Sequence, residues 1–113
     1  MMVLVGQMDS PFVRRAAVTM NVYGMPFERE IISVFADAIA VRKINPLGKV
    51  PALVLDDSNA VYDSPVICDY LDGVGEGPRL IPEDSDARRK VMIAQALGDG
   101  VLDMAVAMVM EGR

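Results

Sequence analysis

Three short stretches hold the residues whose types and spacing could do chemistry. Ser10-Pro11-Phe12-Val13-Arg14 follows the apolar run Met2–Gly6 and opens a helical pattern. A helix start gathers unpaired N–H groups and about half a positive charge, which favours an anion such as a thiolate or carboxylate. A serine hydroxyl there can donate to a bound thiolate and lower the pKa of that thiol. It can equally accept from its own helix as an N-cap, and both roles stay open. Val50-Pro51 stands before a second apolar run, where proline suits the first position of a strand because it has no N–H to give a ladder. Trans is the rule for such a bond. A cis bond would turn the Val50 N–H and C=O outward, toward an extended ligand. Asp63-Ser64-Pro65 is a second helix start, either an ordinary cap or a grip for a ligand carboxylate.

Composition removes other chemistries. With no histidine and the single cysteine Cys68, the chain has no imidazole triad, no zinc site of Cys/His type and no CxxC pair. No disulfide framework forms within it, so a reducing cytoplasm is the default location. A net charge of −5, with the bases scattered, lacks the footprint of a nucleic-acid binder. At 52% hydrophobic and 24% charged, the chain can build a core and is too apolar for disorder. Met1–Gly6 is too short for a signal sequence. Ala94–Met110 is apolar, but Asp99 and Asp103 interrupt it and Gly98 and Gly100 weaken it, so no membrane span is expected.

The elements that must position these residues follow from periodicity. Met2–Gly6 reads as a buried parallel strand. Phe12, Val13, Ala16, Ala17 and Met20 give a helix its inner face, and Gly24 and Pro26 stop it. Phe27–Val34 is the next strand and Asp37–Ile44 a short helix. Asn45–Pro51 is dense in turn residues. Ala52–Leu55 and Ala60–Tyr62 form a hairpin about Asp56–Asn59, and Ile67, Tyr70 and Leu71 give the next helix its apolar face. The order is β-α-β then β-β-α, an α/β layer architecture with helices on a small mixed sheet. Residues 73–86 read as a linker and 87–113 as one long helix with two apolar stripes. One stripe runs through Val91, Leu97, Val101, Met104 and Met108, the other through Met92, Leu102, Val106 and Met110. A helix apolar on two sides needs neighbours on two sides, here a second subunit or a helical bundle.

In this order and spacing the motifs resemble the N-terminal, thioredoxin-like domain of the glutathione S-transferases, in particular the bacterial serine-bearing branches. The carriers are Ser10-Pro-Phe-Val-Arg14, Asn45-Pro-Leu-Gly-Lys-Val-Pro-Ala-Leu53 and Tyr62-Asp-Ser-Pro-Val-Ile-Cys-Asp-Tyr70. Ala96–Asp103 looks like the first helix of the family's all-helical second domain. The resemblance implies residues 1–72 as a thioredoxin-like glutathione-binding domain, 73–86 as linker and 87–113 as the first helix of a truncated second domain. It implies Ser10 as the hydroxyl that stabilises the thiolate, with Phe12 near the sulfur. Lys49, Val50 and Pro51 would line the tripeptide, Val50 through its main chain and Pro51 as a cis proline. Asp63 and Ser64 would hold the γ-glutamyl end, and Asp103 would reach that amine across a homodimer. Arg42 and Lys43 lie near where the glycyl carboxylate is often met, and either is equally a solvated charge.

Serine rather than cysteine at position 10 points to conjugation or peroxide chemistry, with glutathione as co-substrate beside a small electrophile and no metal. The implied setting is a cytoplasmic detoxification enzyme that touches neither nucleic acid nor membrane. Cys68, beside Ile67 and Leu71, reads as a small core residue. Tyr62 and Tyr70 are away from the first strand–helix junction and are not read as catalytic. The family's second domain, which supplies most of the electrophile pocket, is longer than residues 87–113. The alternative is a non-catalytic interaction module on the same fold, with the last helix as its association surface.

Overall fold

The computed structural model describes residues 1–112. Its contacts divide the chain into two units, Met1–Gly77 and Pro78 onward. The first is a four-stranded sheet with a thioredoxin-like arrangement. Met2–Val5 forms β1, a run of apolar residues that ends fully buried at Leu4 and Val5. It pairs in parallel with β2, Phe27–Glu30, and antiparallel with β3, Ala52–Val54. β4, Ala60–Tyr62, pairs antiparallel with β3 and completes the order β2-β1-β3-β4.

A parallel β1–β2 pair needs a crossover, and α1, Pro11–Val22, supplies it. Pro11 at its first position needs no hydrogen-bond partner. Val13, Ala16, Ala17 and Met20 recur at helical spacing and are all buried. Gly24, at φ +65°, ends the helix: its N–H bonds the Asn21 carbonyl and the Met25 N–H bonds that of Met20, the Schellman pattern. α2, Ala38–Ile44, follows β2, and α3, Ser64–Val74, follows β4. Leu4, Leu53, Met20, Ile67 and Leu71 are fully buried together between sheet, α1 and α3. Each contributes roughly 1.5–3 kcal/mol by leaving water.

Two polar rungs fix the register of α1 on α3. Thr19 Oγ1 lies 3.6 Å from Cys68 Sγ, and one turn further along both helices the Tyr23 hydroxyl donates to the Asp72 carboxylate. Thr19 already donates its only hydroxyl proton to the Arg15 carbonyl at 2.9 Å, so the Cys68 thiol is the donor of the first rung. Cys68 is thus a buried core residue.

Some boundaries differ from the sequence reading. β2 stops at Glu30 rather than Val34, because β1 offers it only four partners and Val5 is opposite Glu30. Ser33 and Asp37 then close a turn, with the Ser33 hydroxyl accepting from Phe35 and Ala36 and the Asp37 carboxylate accepting from the Ser33 N–H. α3 runs to Val74, past the expected edge at 72.

The second unit holds α4, Ser85–Glu111. It starts two residues before Ala87 because Asp84 caps it, accepting from the Ala87 N–H at 2.9 Å. Arg113, the last residue of the expected 87–113 segment, lies outside the described residues. No residue of α4 is buried, and Leu97, Val101, Met104 and Met108 are each about 70% exposed. By length and composition alone α4 is also long and apolar enough to cross a membrane.

Candidate functional site

One row of the sheet gathers the three stretches singled out by sequence. Val5, Ala52 and Tyr62 are register partners across β1, β3 and β4. The chain leaves β1 there toward Ser10, enters β3 there from Val50-Pro51, and leaves β4 there into Asp63-Ser64. Residues more than fifty positions apart in the chain therefore meet at one edge because of strand pairing.

Ser10 is the N-cap of α1, with extended backbone and its Oγ accepting from the Val13 N–H at 3.4 Å. That distance is long for such a bond, so the cap is weak. The first turn of α1 holds no acidic residue to offset the positive end of the helix. Phe12, half-buried, lies in this turn.

The Val50–Pro51 bond is cis, as the resemblance implies and against the local preference of such bonds for trans. Val50 precedes the last β1–β3 pair, so its main chain stands outside the ladder. The loop that delivers it is held by Asn45, which sequence reading passed over as punctuation. Asn45 is fully buried; its Nδ2 donates to the Lys49 carbonyl at 3.1 Å and its Oδ1 accepts from the Leu47 N–H at 2.9 Å. The available signal was Asn followed by Pro-Leu-Gly, a side chain that bonds the backbone two residues on. Lys49, Arg42 and Lys43 are exposed.

Asp63, rather than Ser64, is the N-cap of α3. Its backbone sits at φ 74°, ψ 125°, a region that side-chain-bearing residues rarely occupy, and its carboxylate makes no capping bond. Ser64 is buried at the first helical position, and this turn too lacks an acid. Two helix starts, neither neutralised in its own first turn, thus flank the main chain of Val50. Such an edge can take an extended ligand with a carboxylate at one end and a thiolate near the other. Asp103 lies exposed on α4, in the other unit.

An open concavity of about 580 Å³ lies at the far end of the same strands, lined by Met1, Met2, Met25, Leu55, Asp56 and Tyr70. There the N-terminal ammonium sits 2.8 Å from Asp56, which raises the ammonium's pKa by hydrogen bond and charge. Among the described residues no cluster of His, Cys, Asp and Glu could hold a metal ion.

Comparison with known proteins agrees with this placement of elements. The family described as Glutathione S-transferase, N-terminal domain, matches residues 9–74. The chain is 34% identical over 110 residues to the uncharacterized GST-like protein YibF of Escherichia coli K12, covering 97% of this chain and 54% of the relative. It is 38% identical to a glutathione transferase family member from Pseudomonas fluorescens Pf-5 solved with bound glutathione (TM-score 0.84, covering 95% of this chain and 54% of that one). A glutathione S-transferase from Methylobacillus flagellatus KT with GSH bound is likewise 38% identical (TM-score 0.91, covering 100% and 56%). The chain thus spans about half the length of the relatives it matches.

Proposed function

Because the chain belongs to the glutathione S-transferase superfamily, we propose that it is the glutathione-binding portion of such a transferase, and that Ser10 activates the bound thiol. The observation carrying this reading is the Val5–Ala52–Tyr62 row, which brings two helix starts with no acid in their first turns to either side of the Val50 main chain. Val50 pairs through its N–H and C=O with the cysteinyl part of the tripeptide, beside Pro51 and Lys49. Asp63 takes the γ-glutamyl amine, and Ser64 with its amide takes the γ-glutamyl carboxylate. Phe12 walls the sulfur. The field of α1 and a hydrogen bond from Ser10 lower the thiol from about 8.5 toward neutrality. The thiolate then attacks an electrophilic carbon, forming S–C as the leaving group departs with its electron pair, or attacks a peroxide oxygen, forming the S–O bond of a sulfenic acid as O–O breaks and the other oxygen leaves with the electron pair and takes a proton.

The first unit, through the end of α3 at Val74, acts as the glutathione-binding domain, 75–84 as linker and α4 as the opening helix of a second domain. A cytoplasmic homodimer with a detoxifying role fits this assignment, Asp103 then reaching the partner's glutathione. Calorimetric titration with glutathione tests the reading: heat and a thermal shift at millimolar ligand support it, and neither would appear in a scaffold that has lost its ligand. The exposed apolar stripe of α4 favours one other reading, a protein-interaction module on the same fold. Partner binding without glutathione binding would be its signature.

A further inference from the structure

One residue touches both walls of the proposed cradle. Gly6 follows β1 at φ +133°, a conformation that residues with a side chain rarely adopt. Its N–H reaches the Glu30 carbonyl at 3.0 Å and its carbonyl takes a long bond from the Arg29 guanidinium at 3.5 Å, so β2 holds it in place. A Cβ built on Gly6 would lie 2.6 Å from Val13 Cγ2 and 3.0 Å from Val50 Cβ. Val13 stands in the first turn of α1 and carries the amide that Ser10 caps. It is fully buried and β-branched, so its methyl has no second rotamer to retreat to. Val50 meets the added atom with its Cβ, which moves only when its main chain moves.

Resting on the glutathione reading above, we infer that Gly6 is a positioning residue for the tripeptide: its missing side chain sets the spacing between the α1 start and the Val50 main chain. Ordinary carbon contact begins near 3.4 Å. A methyl at this point therefore drives the two walls apart by several tenths of an ångström, about the tolerance within which a binding constellation must be held. The sequence marks Gly6 only as the end of a strand; the second role exists because α1 and the Val50 loop converge on it.

The test compares Gly6→Ala with Gly24→Ala by glutathione calorimetry and thermal unfolding. Gly24 also has positive φ, +65°, but a Cβ there meets nothing within 4 Å. It pays a backbone cost at the other end of α1 without pressing on any neighbour. Gly24→Ala is expected to bind within about twofold of the parent, while Gly6→Ala raises the Kd at least about tenfold. A folded Gly6→Ala that binds within twofold overturns the inference, as does an equal loss in both variants. If Gly6→Ala does not fold, Gly6→Ala/Val13→Ala removes the 2.6 Å contact and keeps the push on Val50. That double variant is expected to fold and to bind at least about fivefold more weakly than the parent. Parent-like binding by it, or no recovery of folding, assigns the cost to the backbone angle alone and overturns the inference. A parent chain that gives no heat overturns the glutathione reading itself, which separates the two failures.

Discussion

The Ser10 hydroxyl has one proton and two lone pairs, and among the described residues one lone pair is engaged, by the Val13 N–H at 3.4 Å. Donation to a thiolate is therefore compatible with capping. Ser10→Ala is expected to lower stability by only ~0.5–1 kcal/mol, the weak end for a lost cap. The pKa of bound glutathione should rise by roughly one to two units, since a hydrogen bond to a charged group contributes about 1.5–3 kcal/mol. Titrating the thiolate absorbance of the complex checks this, and an unmoved midpoint would leave Ser10 a cap and nothing more. Asn45 makes a second residue-scale case. Asn45→Ala strands the Lys49 carbonyl and the Leu47 N–H, so a loss of roughly 2–3 kcal/mol in denaturant unfolding is expected, together with weaker glutathione binding as Val50 loses its support. Sequence made Ser10 legible, because its neighbours announce a helix start. It left Asn45 hidden, because its importance lies in being buried beneath a loop, and burial there depends on chain far away.

At the scale of elements, strands and helices were legible in kind and order because each has a clear period or a clear stop: the apolar run of β1, the helical spacing of Val13 to Met20, the turn about Asp56–Asn59. What stayed illegible was decided by pairing. β2 is short because β1 is short, and Asp63 takes the cap with positive φ because β4 delivers the chain at that angle. The cis state of Val50–Pro51 followed from the family resemblance and not from local preference, which points to trans. Two elements yield predictions. In the β3–β4 turn the Asp57 carboxylate accepts from the Asn59 N–H and side-chain amide, which hold its pKa below the ordinary 3.8. A depressed acid stabilises the fold above its unfolded value and loses that contribution as pH falls through the folded one. The hairpin should therefore loosen only below about pH 4, and in Asp57→Asn that acid-linked part of the unfolding profile should vanish. Between α1 and α3, Tyr23→Phe removes a donor from the buried Asp72 carboxylate and is expected to cost about 1–3 kcal/mol by chemical denaturation, with glutathione affinity unchanged because this rung lies at the far ends of both helices.

At the scale of the whole molecule, the first unit is self-sufficient and α4 is not. The core of Leu4, Met20, Leu53, Ile67 and Leu71 closes within residues 1–77, whereas α4 presents Leu97, Val101, Met104 and Met108 along one stripe with nothing of its own unit over them. Four such side chains, each about 70% exposed, leave an apolar ridge that water disfavours. In a chain of this length the ridge is expected to find a second copy of itself, so sedimentation should show a species heavier than the monomer whose share grows with concentration. Leu97→Lys combined with Met104→Lys puts two charges about two turns apart on the ridge and should return the chain to a monomer. Because Asp103 is proposed to reach the glutathione of the partner subunit, the same variant should also bind glutathione more weakly than the parent; unchanged affinity would strike Asp103 from the proposed site. A parent chain that stays monomeric at high concentration would show that the stripe needs no cover.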